Sequence, residues 1–492
     1  MKIAAIFLPY TTYTPSCELT IAHAKRLQSD HKLLSLEYGI FPIRSHFNMS
    51  GNFFAHTYTL AKQVQFHNYV KNCIKKSFNK PSKVNNLYCQ NINEARDSCF
   101  YNGVMSSLAS KHRVSSDKEL NSFWIKQLIY LINTSAFLYT ETKSYIQKNG
   151  INVIGAFNGR FFDSSAIIMA AKDSKIDYFV YDMNRSCSQY YFINCSLHNI
   201  KANQEKALSF YQKNSNKHIN SANSYYLKRR NGERTYEKSY TSGQLKNSLP
   251  KNILGKKVIG IYPSSDDEYR FLGQDFQMKC LEQVKEIKDL AIYLIKHSIQ
   301  YKLVIRMHPN MSSMSIKSLN KYLKLESLEN IILIKPLDKT DTYALLDYSD
   351  IIIGFCSSII SEAAYYGKQT ILLGPSPYIG LGMGNELESG LEAAKFISNR
   401  KEFIVPNKAN AMAWAVYINL YNDYLPNFSV KNEEAFFCKR KIPTLLFWRL
   451  IAAIAKIFIE IKYSNNSKIT KRQKISFFLF RLKNLFRITH KN

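Results

Sequence analysis

Two stretches of this chain end an apolar run in side chains suited to phosphate and hydroxyl groups. The first closes on Arg306-Met307-His308-Pro309. The second runs from Asp350 through Ile351 to Gly354 and on to Ser357-Ser358, with Glu362 one turn later. Each reads as a β-strand followed by a polar turn, and open α/β sheets bind ligands outside the carboxyl ends of their strands. Pro309 disfavours helix at His308 and holds the imidazole in an extended exit from its strand. Arg306, two residues earlier, shares its strand face, so the two form a cationic pair suited to phosphate. A strand-end histidine that merely caps a turn is the alternative. The second stretch predicts a helix opening near Ser358, with hydroxyls and backbone N–H groups where a diphosphate would sit and Glu362 placed for a ribose or base hydrogen bond. Serine as a plain helix cap is the simpler reading of the same residues.

Four further groups carry possible chemistry. Ser264-Ser265, followed by Asp266-Asp267-Glu268, comes after a strand at residues 256–262. The serines suit the same ligand, while the acids form a solvated loop or position an acceptor hydroxyl; their charge keeps at least some of them from facing phosphate. Asn158-Gly159-Arg160 marks a strand-to-helix turn, the glycine supplying a conformation closed to most residues, with Arg160 directed at the ligand. Glu18 and His23 start the first helix, and Glu18 is the better placed general base for an acceptor hydroxyl; a favourable charge on a first helical turn is the alternative. His198 is a further candidate. No Asp-x-Asp metal site is evident, and no cofactor is expected beyond a nucleotide-linked substrate.

These groups need a scaffold that brings distant strand ends together. Residues 3–8, 32–38, 151–157 and 177–182 read as strands, with a helix at 17–28, helical and aromatic patterning over 52–138, and a helix following Arg160 through Lys172. Residues 202–250 are polar with weak periodicity and read as an interdomain region that contains one helix near 204–213. Strands at 256–262, 302–307, 331–334, 351–354 and 370–373 then alternate with helices, which implies a parallel sheet. The predicted organisation is α/β: an amino-terminal Rossmann-like domain with helical elaboration at 1–250, a carboxyl-terminal nucleotide-sugar-binding Rossmann-like domain at 251–430, and a tail at 431–492.

The 492 residues carry a net charge of +30, much of it in a general lysine bias. From Lys439 to Asn492 there are 14 Lys/Arg against one acid, Glu460. The apolar segment 442–461 has the length of a membrane span but is interrupted by Arg449, Lys456 and Glu460. With Phe477, Phe478, Phe480 and Phe486 set among Lys and Arg further on, it reads as basic amphipathic helices on an anionic membrane surface. Packing of such a helix on the first domain is the alternative. Nucleic acid is not an expected partner, since no recognition module is visible. Nine scattered cysteines without a Cys-x-x-Cys pair fit reduced thiols of a cytoplasmic protein, and the amino terminus lacks the length and cleavage site of a signal peptide.

Across residues 255–375, with a looser match at Phe157-Asn158-Gly159-Arg160 and the Glu18 opening, the chain resembles bacterial capsule and O-antigen glycosyltransferases of GT-B type. That group includes Kdo transferases and polysialyltransferases with His-Pro and Ser-Ser motifs. The resemblance implies two doubly wound domains facing a cleft and a metal-independent transfer from a nucleotide-sugar to a lipid-linked or polysaccharide acceptor. It further implies His308, Ser357 and Ser358 on the donor's nucleotide and phosphates, an acid of the first domain as base, and work at the inner face of the cytoplasmic membrane. The acidic-acidic-glycine base motif of sialyl- and Kdo-transferases is missing from the first domain, which points away from a CMP-sugar and leaves UDP- or GDP-sugars. A UDP-sugar 2-epimerase and a teichoic-acid-type polyol-phosphate transferase are similar in these motifs. A non-catalytic GT-B scaffold subunit is the non-enzymatic reading.

Overall fold

The computed structural model describes residues 2–7, 23, 26–27, 30–36 and, apart from short gaps at 184–188, 236–238, 274–275, 277–281 and 424–427 and a few isolated positions, 89–441. Glu18, the helical reading of 52–88 and the basic tail from 442 onward lie outside the described residues. No described helix is long and apolar enough to cross a membrane.

Contacts divide the chain into two compact units, one holding 1–108 and 116–180 and the other 109–115 and 181–424. Among the described residues, the first sheet has five strands in the order β2-β1-β3-β4-β5: β1 (Lys2–Phe7) pairs in parallel with β2 (His31–Leu36) and with β3 (Val153–Phe157), and β4 (Asp177–Met183) and β5 (Gln189–Ile193) follow. Ala4, Ala5 and Ile6 are fully buried, as a strand covered on both faces requires. Two helices expected only as a general pattern are α1 (Tyr101–His112) and α2 (Ser122–Asn149), while the helix expected after Arg160 is α3 (Phe162–Asp173). α2 starts where Asn121 Oδ1 accepts the Trp124 N–H at 3.1 Å, and it ends at Gly150 in the left-handed conformation. Its Ser135 hydroxyl donates to the Phe162 carbonyl at 2.8 Å, fixing the start of α3.

The second unit is built on β6 (Val258–Tyr262), β7 (Lys302–Arg306), β8 (Ile331–Ile334), β9 (Ile351–Gly354), β10 (Thr370–Leu373) and β11 (Asn385–Leu387). β6 to β11 pair in parallel in the order β11-β10-β9-β6-β7-β8. Alternate residues sort to the two faces. Ile259, Ile261, Leu303, Ile305 and Ile353 pack with Leu290 and Leu294 of α6 (Gln283–Lys296), while Val258, Tyr262, Val304 and Ile352 pack with Leu345 and Leu346 of α7 (Thr342–Tyr348). Each such fully buried aliphatic side chain contributes about 1.5–3 kcal/mol over leaving it in water.

The stretch 202–250, read in the sequence as interdomain, packs within the second unit. The polar stretch forms two helices, α4 (Ile200–Gln212) and α5 (Ser215–Arg230). Their Ala207, Ala222, Tyr225 and Tyr226 bury against Trp414, Val416 and Tyr417 of α9 (Lys408–Leu420) and against Ile360 and Ala364 of α8 (Ile359–Tyr365). Burial of small and aromatic residues, rather than of aliphatic ones, is what hid this face in the sequence.

Candidate functional site

The strand order of the second sheet reverses at β6: the chain moves through β7 to β8 on one side and through β9 to β11 on the other. That is the doubly wound arrangement whose switch point binds nucleotides. The switch lies between β6 and β9, where Tyr262 is in register with Gly354, so the turns after β6, β7 and β9 share one edge.

Gly354 is required by close approach, since a Cβ there would lie 2.5 Å from Ile360 Cδ1. The turn that follows has Cys356 at φ 138, an uncommon conformation for a residue with a side chain. Helix α8 opens at Ser358 as expected, but the serine makes no side-chain cap. The Ile360 and Ser361 N–H groups already donate to the Ser357 and Ser358 carbonyls, both at 3.1 Å. The Ile359 N–H faces Ser357 Oγ at 3.5 Å. The expected cradle of open N–H groups is therefore largely closed, and side chains carry the polarity of this edge.

Chief among these is Arg229, which the sequence reading missed. It comes from the last turn of α5, and its Nη2 lies 2.9 Å from Ser358 Oγ and 3.0 Å from Glu362 Oε1, with Nε 3.2 Å from the same oxygen. Glu362 is 2% exposed. It also accepts from Ser358 Oγ at 3.3 Å and from the Tyr343 hydroxyl. Burial, followed by the charge of Glu362, holds the Tyr343 phenol well above its usual pKa, so it remains a donor. The signal for Arg229 was in the spacing: His218, Ala222, Tyr225 and Tyr226 are all buried, and Arg229 continues that stripe at helical spacing.

His308 stands at the end of β7 and is half-buried. Its Nδ1 accepts the Asn310 N–H at 3.1 Å, so it does cap a turn, a short 3-10 helix at Pro309–Ser313. That bond leaves the proton of the neutral ring on Nε2. Burial, then the Arg229 and Arg306 charges, push the imidazole down to about 4, so it is neutral near pH 7. Tyr240 meets the ring edge-on at 4.7 Å between centroids.

Arg306 departs from its expected role. It is 4% exposed, with Nη1 donating to the Lys335 carbonyl at 2.8 Å and Nη2 to the Asp338 carbonyl at 3.1 Å. It holds the loop after β8 and forms no cationic pair with His308, because that ring is uncharged. Ser265 is also turned inward, its hydroxyl 2.6 Å from Asp267 Oδ1, while Asp267 is buried in an ion pair with Arg113 at 2.7 Å. This acid is thus a loop anchor, contrary to the solvated or acceptor-facing reading. Ser264 is tied through its backbone to Gln283, whose side chain accepts its N–H and donates to its carbonyl, both at 2.9 Å.

In the first unit, Asn158 and Gly159 adopt φ 60 and 80 as the turn requires, and Arg160 lies 4.8 Å over the Phe161 ring. His23 is buried near Phe179, and His198 meets Phe276 edge-on. The described cysteines, Cys89, Cys99, Cys195 and Cys356, are free thiols.

The family model for UDP-N-acetylglucosamine 2-epimerase matches residues 279–404. No curated protein matches the chain. Both Rossmann-like units are in place. The fold is α/β, with a doubly wound parallel sheet in the second unit. Solved structures similar to the chain include the β-Kdo 2,4-transferase KpsC of Thermosulfurimonas dismutans, at 13% identity and TM-score 0.36, covering 54% of this chain and 80% of that one. Another is a putative UDP-N-acetylglucosamine 2-epimerase from Listeria monocytogenes, at 11% identity and TM-score 0.25, covering 86% and 92%. The Methanocaldococcus jannaschii UDP-GlcNAc 2-epimerase, in complex with UDP-GlcNAc and UDP, is similar at 11% identity and TM-score 0.27, covering 84% and 98%.

Proposed function

We propose that this chain is a GT-B-type glycosyltransferase that moves a sugar from a UDP- or GDP-sugar to a growing surface polysaccharide, with the second unit holding the donor. One observation carries the reading: Arg229, Ser358 and the Nε2–H edge of neutral His308 gather at the switch point of a doubly wound sheet. A guanidinium and neutral donors suit a diphosphate that must be gripped and later released. Ser357 and the backbone of Ser264 border the same edge. In this reading no metal is required for the phosphates; Arg160 assists from the first unit and Glu18 serves as base for the acceptor hydroxyl. The basic tail would keep the enzyme on the inner face of the cytoplasmic membrane, close to a lipid-linked acceptor, each nearby Lys or Arg adding roughly 1 kcal/mol of attraction to anionic lipid.

A thermal-shift series with UDP, GDP, CMP and CDP-glycerol tests the donor site, because a ligand bound only by the native state raises the melting temperature. A response to UDP or GDP that disappears in His308→Ala is expected; an unchanged response in that variant refutes the site. The epimerase match over 279–404 favours a second reading, UDP-sugar 2-epimerisation. Free epimer released from the nucleotide-sugar in the absence of any acceptor would select it.

A further inference from the structure

Glu362 stands where the sequence suggests a ribose ligand, yet the structure turns it inward. Its side chain is 3% exposed, against 16% for Arg229. Oε1 receives both Arg229 nitrogens and Ser358, and Oε2 receives the Tyr343 hydroxyl. A sugar hydroxyl approaching from solvent meets the guanidinium before it meets the carboxylate. The same contacts fix one edge of the guanidinium plane, and the Tyr225 ring, 5.5 Å from the Arg229 carbon, adds a further constraint. An arginine held in this way is a pre-oriented fork, the geometry that recognises phosphate oxygens.

We infer that Glu362 is a positioning residue for Arg229, and that the Arg229–Glu362 pair lets this edge distinguish a nucleoside diphosphate from a monophosphate. The inference rests on the donor site proposed above and replaces the ribose role for Glu362. Ser358 belongs to the same unit, since its hydroxyl touches both partners. Tyr343 completes it by satisfying the second carboxylate oxygen, which leaves Oε1 to Arg229 and Ser358.

The test measures affinity of the full-length parent and Glu362→Gln for UDP, UMP and 2′,3′-dideoxy-UDP, with the guanosine series alongside, at fixed ionic strength. Glu362→Gln should weaken UDP and dideoxy-UDP alike, by about tenfold or more, the scale of one charge-assisted hydrogen bond, and weaken UMP by no more than about threefold. A purely structural role would weaken all three equally. Equal losses for UDP and UMP, or a loss for UDP that is absent for the dideoxy analogue, overturns the inference; the latter would put Glu362 on the ribose. Should Glu362→Gln fail to fold, Arg229→Lys keeps the charge without the fork and should show the same diphosphate-selective loss. Affinities unchanged in Arg229→Lys would also overturn it. A parent that binds neither UDP nor GDP refutes the donor site itself, a result distinct from failure of the Glu362 role.

Discussion

Removing the cation from the Arg229–Glu362 pair is the most informative perturbation of this protein. Arg229→Met keeps much of the aliphatic stem but leaves a carboxylate that is 2% exposed with only Ser358 and Tyr343 as donors. Breaking a buried ion pair from one side costs about 3–5 kcal/mol, because the surviving charge stays desolvated. Two neutral donors remain on Glu362, so the lower end of that range applies, about 3 kcal/mol. For a unit of this size that corresponds to a fall in melting temperature of roughly 6–12 °C. Adding Glu362→Gln removes the stranded charge, so the double variant should recover most of the loss and melt above Arg229→Met alone. Thermal melts of the parent, both single variants and the double variant provide the measurement. A single-variant cost under about 1 kcal/mol, or a double variant whose loss equals the sum of the two singles, would refute the buried-pair reading.

Three other outcomes follow from the geometry. Arg306→Lys cannot reach both the Lys335 and Asp338 carbonyls, so it should cost about 2–3 kcal/mol and raise amide exchange selectively over residues 335–342. His308 has a folded-state pKa near 4, below the ordinary value of about 6.5; the unfolded chain therefore takes up the proton first as pH falls. The stability this group contributes is fully present above about pH 6.5 and is lost progressively as pH drops through 4, and His308→Gln should flatten that part of the denaturant-derived stability profile. Cys356→Gly should be neutral or stabilising by up to about 1 kcal/mol because glycine tolerates positive φ, whereas Cys356→Val should destabilise; equal melting temperatures for the two would remove strain as the explanation.

The strands were the legible part of this fold. Segments such as Ile331–Ile334, Ile351–Gly354 and Thr370–Leu373 are short aliphatic runs between polar turns, and a strand covered on both faces admits little else. The polar residues at their carboxyl ends were legible as a cluster but not as individual roles. Arg306 and His308 alternate on one strand and look like a cationic pair, yet the carbonyls that claim Arg306 belong to a loop some thirty residues later. Ser265 likewise looks like a ligand until Asp267 and Arg113 are brought beside it. Helix α5 was illegible for another reason: its inner face is His218, Ala222, Tyr225, Tyr226 and Arg229, a sequence of small, aromatic and charged residues that aliphatic periodicity does not register.

The placement of Arg229 has a practical corollary for anyone excising or grafting this region. The stretch resembling an epimerase begins at residue 279 and contains every strand-end serine and histidine of the switch point except the pair after β6. A fragment cut at that start, or even just ahead of β6, would retain the Glu362 carboxylate in its interior while leaving its counter-charge on the discarded piece. Ile360 and Ala364 would lose Tyr225 and Tyr226 in the same cut. The second unit is thus longer than its recognisable portion, and any chimera meant to preserve it has to begin no later than the start of α4.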